Sequence, residues 1–191
     1  KLKKKYNVPK EKFIITYTGR LAGWKRTDRL IRVFKDLYLE NNNLFFLIGG
    51  FGKDENSIRS YSLEENINDN IVITGRIIHE EIKEILTLSD LHLSLNDWTN
   101  LTNTTIEAMA MGCCVVAVDI GETSDLIKDN FNGLLVNKNI DDIVKRVRNL
   151  IKDKHKREYL GNNAIATVTK NIFSWEERVE KELSIMESLI S

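Results

Sequence analysis

The 191-residue chain lacks most features that mark specialised protein classes. It has one proline, Pro9, and two cysteines, Cys113 and Cys114, side by side in an apolar run. That placement suits a buried strand in a reducing compartment better than a disulfide or a metal site. No apolar stretch approaches the ~20 residues a membrane span needs, and no segment reads as a signal peptide. Net charge is zero, with 28 basic and 28 acidic residues, so no chain-wide field draws nucleic acid. The basic start "KLKKKY" is local and reads as a solvated terminal helix turn. No His/Cys group has metal-ligand spacing, and no two aspartates are separated by one residue, so a D-x-D metal–diphosphate motif is missing. The absence of G-x-G-x-x-G after the first apolar run argues against a dinucleotide dehydrogenase, and the absence of G-x-x-x-x-G-K-[ST] excludes a P-loop. Internal repeats and low-complexity segments are also absent.

What is present is enough apolar residue for one ordinary core, 42% of the chain. It is arranged as short apolar runs alternating with helical patterns. The runs are "FIITY" (13–17), "LFFLIG" (44–49), "IVITG" (71–75), "LHLSL" (91–95), "CCVVAV" (113–118) and "GLLV" (133–136). Between them, Leu30, Phe34 and Leu37 are helically spaced, as are Ile82, Ile85 and Leu86. A weaker helix is expected over roughly 55–65, and a helical turn at "TSDLIKD". Towards the end, Ile140, Ile143, Val144, Val147, Leu150 and Ile151 form one apolar stripe, and Val179, Leu183, Met186 and Ile190 another. This order predicts an α/β fold, a doubly wound, Rossmann-like parallel sheet of about six strands. Residues 1–12 are expected to be an inter-domain linker remnant, 13–172 the domain, and 173–191 a terminal helix.

Ligands of such sheets bind outside the carboxyl ends of the strands. That gathers Thr18 to Arg26, Gly49 to Lys53, Gly75 to His79 and Asn96 to Asn103 on one rim. In the first of these loops Gly19 and Gly23 let the backbone approach a ligand. Arg20 and Lys25 supply a fork and a point charge that suit a diphosphate, or are simply solvated. In "NDWTNLTNTTIEAMAMG" (96–112), Asn103 or Thr104 is expected to cap a helix, with the N–H groups of Asn100 to Thr104 facing the rim. Glu107, one turn inside, either accepts from two vicinal hydroxyls, such as those of a ribose, or stabilises the helix dipole. Trp24 and Trp98 either wall a cleft or pack on the domain edge. His79 is a candidate rim contact, His92 reads as a hydrogen-bonded core residue, and His155 as surface.

Five segments in this order resemble the C-terminal, donor-binding domain of GT-B glycosyltransferases of family 4, the glycosyl transferase group 1. "YTGRLAGWKRTDRLIRVFKDL" is similar to the family's GR-x(n)-K-G-x-D-x-L-I opening, and "FLIGGFGKDENSIR" to its strand ending in G-x-G. "IVITGRIIHEEIKEILTLSDLHLSLN" follows the family order. "IEAMAMGCCVVAVDIGETSDLIKDNFNGLLV" resembles the block EA-x-A-x-G-x-P-V-V-A…G…E-x-I…G-x-L, and "FSWEERVEKEL" the terminal helix that crosses back to a partner domain. The resemblance implies that Arg20 and Lys25 stabilise a leaving diphosphate. It also implies that the backbone around Arg76 and Ile77 holds the nucleobase, and that Glu107 binds the ribose. Gly19, Thr99, Asn100, Leu101, Thr102, Asn103 and Thr104 complete the implied donor site.

Three positions depart from the family pattern. Thr99 stands where the first of two glutamates separated by seven residues would fall; Asp97, two residues away, is the candidate substitute. Cys114 replaces a usual proline, and Asp125 a usual glutamate. The resemblance implies a retaining transfer of a hexose, with mannose within the family's range. The donor would be a nucleoside-diphosphate sugar and the acceptor a cell-surface glycan, a lipopolysaccharide core or a lipid carrier. No cofactor, metal or nucleic-acid partner is expected. The parent is expected to be cytoplasmic, with peripheral attachment at the inner face of the membrane compatible with it. The acceptor-binding half is expected in a separate N-terminal domain of a longer parent, so the isolated chain should not transfer sugar. The alternatives are a non-catalytic nucleotide-sugar-binding module and a sugar-nucleotide 2-epimerase of the same architecture.

Overall fold

The computed structural model describes residues 1–172 and 175–190. Six strands form one sheet: β1 (Phe13–Thr18), β2 (Leu44–Gly49), β3 (Ile71–Ile73), β4 (Leu91–Ser94), β5 (Val115–Val118) and β6 (Leu134–Val136). Their order is β3-β2-β1-β4-β5-β6, and every pairing is parallel. The helices are α1 (Leu2–Lys5), α2 (Thr27–Glu40), α3 (Glu55–Glu64), α4 (His79–Thr87), α5 (Asn103–Ala110), α6 (Thr123–Leu126), α7 (Ile140–Lys152), α8 (Lys154–Asn171) and α9 (Trp175–Ile190). The doubly wound α/β expectation holds strand by strand.

The apolar runs are continuous because the central strands are covered on both faces. All six residues of β2 are buried. On one face, Leu30, Phe34 and Leu37 of α2 and Ile143, Val147 and Leu150 of α7 pack on Ile15, Phe46 and Val116. Phe34 stacks on Phe46 at 5.1 Å. On the other face, Ala108 and Met109 of α5 and Ala164 and Val168 of α8 pack on Val115 and Ala117. A third cluster joins Ile85 of α4 to Ile14, Phe45 and Leu47, and Tyr6 and Val8 close it. The first dozen residues therefore carry two core side chains into the domain.

Two local expectations shift. β5 begins at Val115, not at Cys113, because the Cys113 amide closes the end of α5 on the Ala108 carbonyl at 2.9 Å. Both cysteines are free and buried, and burial pushes their thiols up to about 12. The turn "TSDLIKD" is helical only over Thr123–Leu126.

His92 lies in the middle of the sheet, its Nδ1 3.0 Å from the Thr16 hydroxyl, and burial pulls the imidazole down to about 4. It is a neutral core residue, as its strand position suggested. On α9, Val179, Leu183 and Met186 are all exposed. The Ile190 side chain of that stripe, and Phe173 and Ser174 of the terminal motif, lie outside the described residues. No helix among the described residues is long and apolar enough to cross a membrane.

Candidate functional site

β1 and β4 are neighbours at the centre of the sheet, and the chain winds outward from them in opposite directions. Their carboxyl ends therefore open a crevice between diverging loops. On the β1 side, the loop is laid against the loop after β2. The Gly19 amide donates to the Gly49 carbonyl and the Leu21 amide to the Phe51 carbonyl, both at 2.9 Å. Gly50 is required by this contact, since a Cβ there would lie 1.8 Å from the Gly19 carbonyl oxygen. The paired loops border a cleft of about 570 Å³ that includes Arg20, Trp24, Phe51, Lys53 and Arg76. Three cations thus face one space. The Arg76 guanidinium sits 5.0 Å from the Phe51 ring centre, an attraction between a cation and the negative face of the ring. Lys25 is not in that lining. It lies half-buried over the Trp24 ring at 4.4 Å, and burial lowers its ammonium pKa.

The β3–α4 loop reaches the same rim. Ile77 is partly buried against the third cluster and Arg76 is exposed. Among the described residues, the backbone amide and carbonyl groups of Arg76 and Ile77 have no protein partner. Ordered backbone with unmet donors and acceptors can read the edge of a base.

The β4–α5 loop is held from within. Asn100 is fully buried; its Oδ1 accepts from the Ser94 hydroxyl at 2.8 Å and from the Asn96 amide at 3.0 Å. Its Nδ2 donates to the Val118 carbonyl at 2.8 Å, and its own amide donates to Thr123 Oγ1 at 3.0 Å. The cap of α5 is Thr102, whose hydroxyl accepts from the Thr105 amide, not Asn103 or Thr104. The row of rim-facing amides is accordingly shorter than the sequence suggested. Asn100 gives its N–H to Thr123, and Leu101 gives its N–H to Thr99 Oγ1 at 3.1 Å. Only the amides of Thr102, Asn103 and Thr104 in this row lack a protein acceptor among the described residues. These are the positive end of α5 and favour an anion.

Glu107 is half-buried, and burial raises its carboxyl pKa against the pull of His79 and Lys83. Its Oε1 is 3.6 Å from His79 Nδ1, while its Oε2 is covered and has no hydrogen-bond partner. Two more covered, unpartnered side-chain atoms lie on this rim, Thr18 Oγ1 at the end of β1 and Asn96 Oδ1 just past β4. Buried polar groups are ordinarily satisfied, so such exceptions require an explanation.

Asp97 is occupied. It receives Arg26 at 2.5 Å and Arg29 at 2.9 Å, and Lys138 stands 3.6 Å away. Against the effect of burial, the Arg26 and Arg29 bonds hold its carboxyl below the usual range. Arg26 adopts the left-handed conformation, φ 52°, at the position where the resembled motif has glycine. Sequence reasoning placed Thr18, Lys53 and Asn96 on the rim without giving them a role, and missed this cluster and the support from Ser94 and Thr123. Arg29, a charge on the buried side of an amphipathic helix, was the available clue.

A family model described as "Glycosyl transferases group 1" matches residues 1–167. An uncharacterized glycosyltransferase of Methanocaldococcus jannaschii is 26% identical over 194 residues, covering 100% of this chain and 48% of its own length. The capsular polysaccharide biosynthesis glycosyltransferase CapM of Staphylococcus aureus is 28% identical over 189 residues, 93% of this chain and 48% of the relative. In three dimensions, a TarM variant of S. aureus in complex with fondaparinux, α-GlcNAc-glycerol and UDP superposes with a TM-score of 0.81 at 28% identity, covering 92% of this chain and 36% of that one. The chain spans about half the length of the curated relatives it matches.

Proposed function

The chain belongs to the group 1 glycosyl transferases, and we propose that it is the donor-binding half of a retaining enzyme that moves a hexose from a nucleoside-diphosphate sugar. The observation that carries this reading is the convergence of unmet polar groups and cations on one rim. Arg20, Lys53 and Arg76 share a cleft, and among the described residues the backbone groups of Arg76 and Ile77 and one oxygen of Glu107 have no hydrogen-bond partner. Each fits one part of the donor: the diphosphate, the base and the ribose.

In this reading Arg20 and Lys25, aided by Lys53 and the amides of Thr102 to Thr104, stabilise the charge on the departing diphosphate. Preorganised donors aimed at developing charge commonly lower the barrier more than any other single effect in such catalysis. Cations of the chain take that role, so the reaction is proposed to need no metal. Lys25 reaches the cleft by leaving the Trp24 face. The UDP in the TarM complex and the capsular polysaccharide role in the name of CapM support a nucleotide-sugar donor and a cell-surface glycan or lipid-linked acceptor. A mannosyl donor and a cytoplasmic parent, peripheral at the membrane, complete the proposal. A donor-binding module without transfer is the second reading. It is favoured by Thr99 at the glutamate position and by Asp97, the nearest carboxylate, being bound to cations.

The isolated chain should bind donor and not transfer it. Orientation of an acceptor can lower a barrier by ~7–11 kcal/mol, and that contribution requires a second surface across the cleft. Calorimetry with UDP, GDP and ADP and their hexose conjugates should give saturable binding to at least one, with no glycan product when acceptor extract is added. Failure of every nucleotide to bind would sink the donor reading, and acceptor-dependent turnover would show a complete active site.

A further inference from the structure

Little holds the Glu107 carboxylate in place. Its Oε2 is covered and without a partner. Oε1 is the oxygen that meets another side chain, His79 Nδ1 at 3.6 Å, too long for a hydrogen bond and close enough for an ion pair. The two side chains come from different loops. His79 opens α4, two residues after Ile77, whereas Glu107 lies one turn inside α5. The backbones that carry them are fixed against each other. Leu86 of α4 packs in one cluster with Ala108 and Met109 of α5, and Ile82 and Ile106 lean on it. At the start of α4 the Ile78 amide donates to Glu81 Oε2 at 3.0 Å, and the Ile78 carbonyl accepts from the Glu81 amide at 3.0 Å. The His79–Glu107 contact therefore ties the loop of Arg76 and Ile77 to the carboxylate across the rim.

Resting on the donor reading above, we infer that His79 is a positioning residue for Glu107: when protonated it holds the carboxylate in place for the ribose, so the chain's grip on a ribonucleotide tightens as pH falls through the histidine range.

Only an ionised carboxylate offers acceptors on both oxygens to a pair of vicinal hydroxyls. Burial works against that ionised form at Glu107, and His79, followed by Lys83, works for it. Lys83 lies one helical turn beyond His79 and stays charged at neutral pH, so it gives a constant background. Histidine is the side chain that ordinarily changes charge there. The remaining charges around this corner are committed or turned aside. Glu81 is held by the Ile78 amide and Lys5, Arg76 lies over the Phe51 ring, and Glu80 is an exposed first-turn residue of α4. A neutral His79 brings no charge to Oε1, and the carboxylate is then free to turn about its side-chain bonds. The His79 side chain is 64% exposed and that of Glu107 28%, so water screens the pair and the effect is a few-fold in affinity. At lower pH the gain reverses once Glu107 itself takes a proton, above the ordinary glutamate range because burial raises its pKa.

The test compares a ribonucleotide with its 2′-deoxy form. UDP, GDP and ADP are screened by calorimetry on the whole chain, and the one that binds is measured beside dUDP, dGDP or dADP between about pH 8 and about pH 6. The ratio of the two affinities cancels titration of the phosphate and any direct pull of His79 on it. In the parent chain the preference for the ribonucleotide should grow about threefold towards the lower pH, the scale of an exposed ion pair. In His79→Gln it should stay flat, with the unfolding temperature unchanged. His79→Lys, charged throughout, should restore the stronger preference at every pH. A flat ratio in the parent, or an unchanged pH dependence in His79→Gln, would overturn the inference and leave the donor reading standing. Equal binding of the ribo and deoxy forms at every pH would remove the ribose role of Glu107 and the inference with it, and a chain that binds none of the nucleotides defeats the donor reading as well.

Discussion

Asp97→Ala is the sharpest test of how the rim is built. The Arg29 guanidinium is 3% exposed and has two acceptors, Asp97 Oδ1 at 2.9 Å and the Leu95 carbonyl at 2.8 Å. Losing Asp97 leaves a buried cation with one neutral partner. Removing one member of a fully buried pair costs about 3–5 kcal/mol. Asp97 is itself 25% exposed and Arg29 keeps Leu95, so about 2–3 kcal/mol is the appropriate range here. For a chain of this length that corresponds to a fall in unfolding temperature of roughly 4–12 °C. The pairing should also be visible in a cycle. Arg29→Met removes the buried charge, and Asp97→Ala on that background should cost less than about 1 kcal/mol.

Acidity gives an independent measure of the same pair. The Asp97 carboxyl is depressed in the fold relative to an unfolded value near ~3.9. Its contribution is therefore fully present above that value and is lost as pH falls through the folded pKa. Asp97→Asn should flatten this acid limb of the stability curve. Urea unfolding at several pH values checks both statements. An Asp97→Ala chain within about 0.5 kcal/mol of the parent, with an unaltered acid limb, would refute the account of Arg29 as a charge that depends on Asp97.

Other substitutions separate binding from folding. Glu107 has a raised pKa, so its stabilising contribution is present below the unfolded value and lost as pH rises through the folded one; at neutral pH Glu107→Gln should leave the unfolding temperature equal or higher while weakening nucleotide affinity about fivefold or more in calorimetry. Arg20→Ala and Lys25→Ala should each weaken nucleoside-diphosphate affinity about tenfold or more, as expected for a charge-assisted contact, and unchanged affinity in both would remove the clamp. Gly50→Ala should destabilise by about 1–3 kcal/mol or more in urea, since its Cβ meets the Gly19 carbonyl; Gly23→Ala, where a Cβ meets nothing within 4 Å, should stay within about 0.5 kcal/mol.

Much of the fold could be read from residue order because sheet burial writes itself as uninterrupted apolar runs. β2, buried along its whole length, and the α7 stripe needed only periodicity. Boundaries were less legible where one residue serves two elements. Cys113 looks like the start of a strand, but its amide ends α5. Thr102, Asn103 and Thr104 all have capping side chains, and the cap falls to the residue with extended backbone, Thr102 at ψ 155°. The basic N-terminal start reads as solvated, although Tyr6 and Val8 are core.

The site was legible as a set of loops and not as a set of free atoms, and the distinction has a physical cause. A motif locates Asn100, Thr99 and Asp97 on the rim, yet what each can offer a ligand depends on partners remote in sequence. Asn100 is taken by Val118 and Thr123, and Asp97 by Arg26, Arg29 and Lys138. Asp97 is the nearest carboxylate to the missing glutamate, and sequence distance alone nominates it as the replacement. Its cations make that replacement electrostatically unlike a free carboxylate. A sugar approaching Asp97 meets a carboxylate already surrounded by three cations. The transfer of function along a motif therefore stops at the first residue whose polar atoms are already occupied, and the unoccupied atoms nearby are where a ligand gains the most from binding.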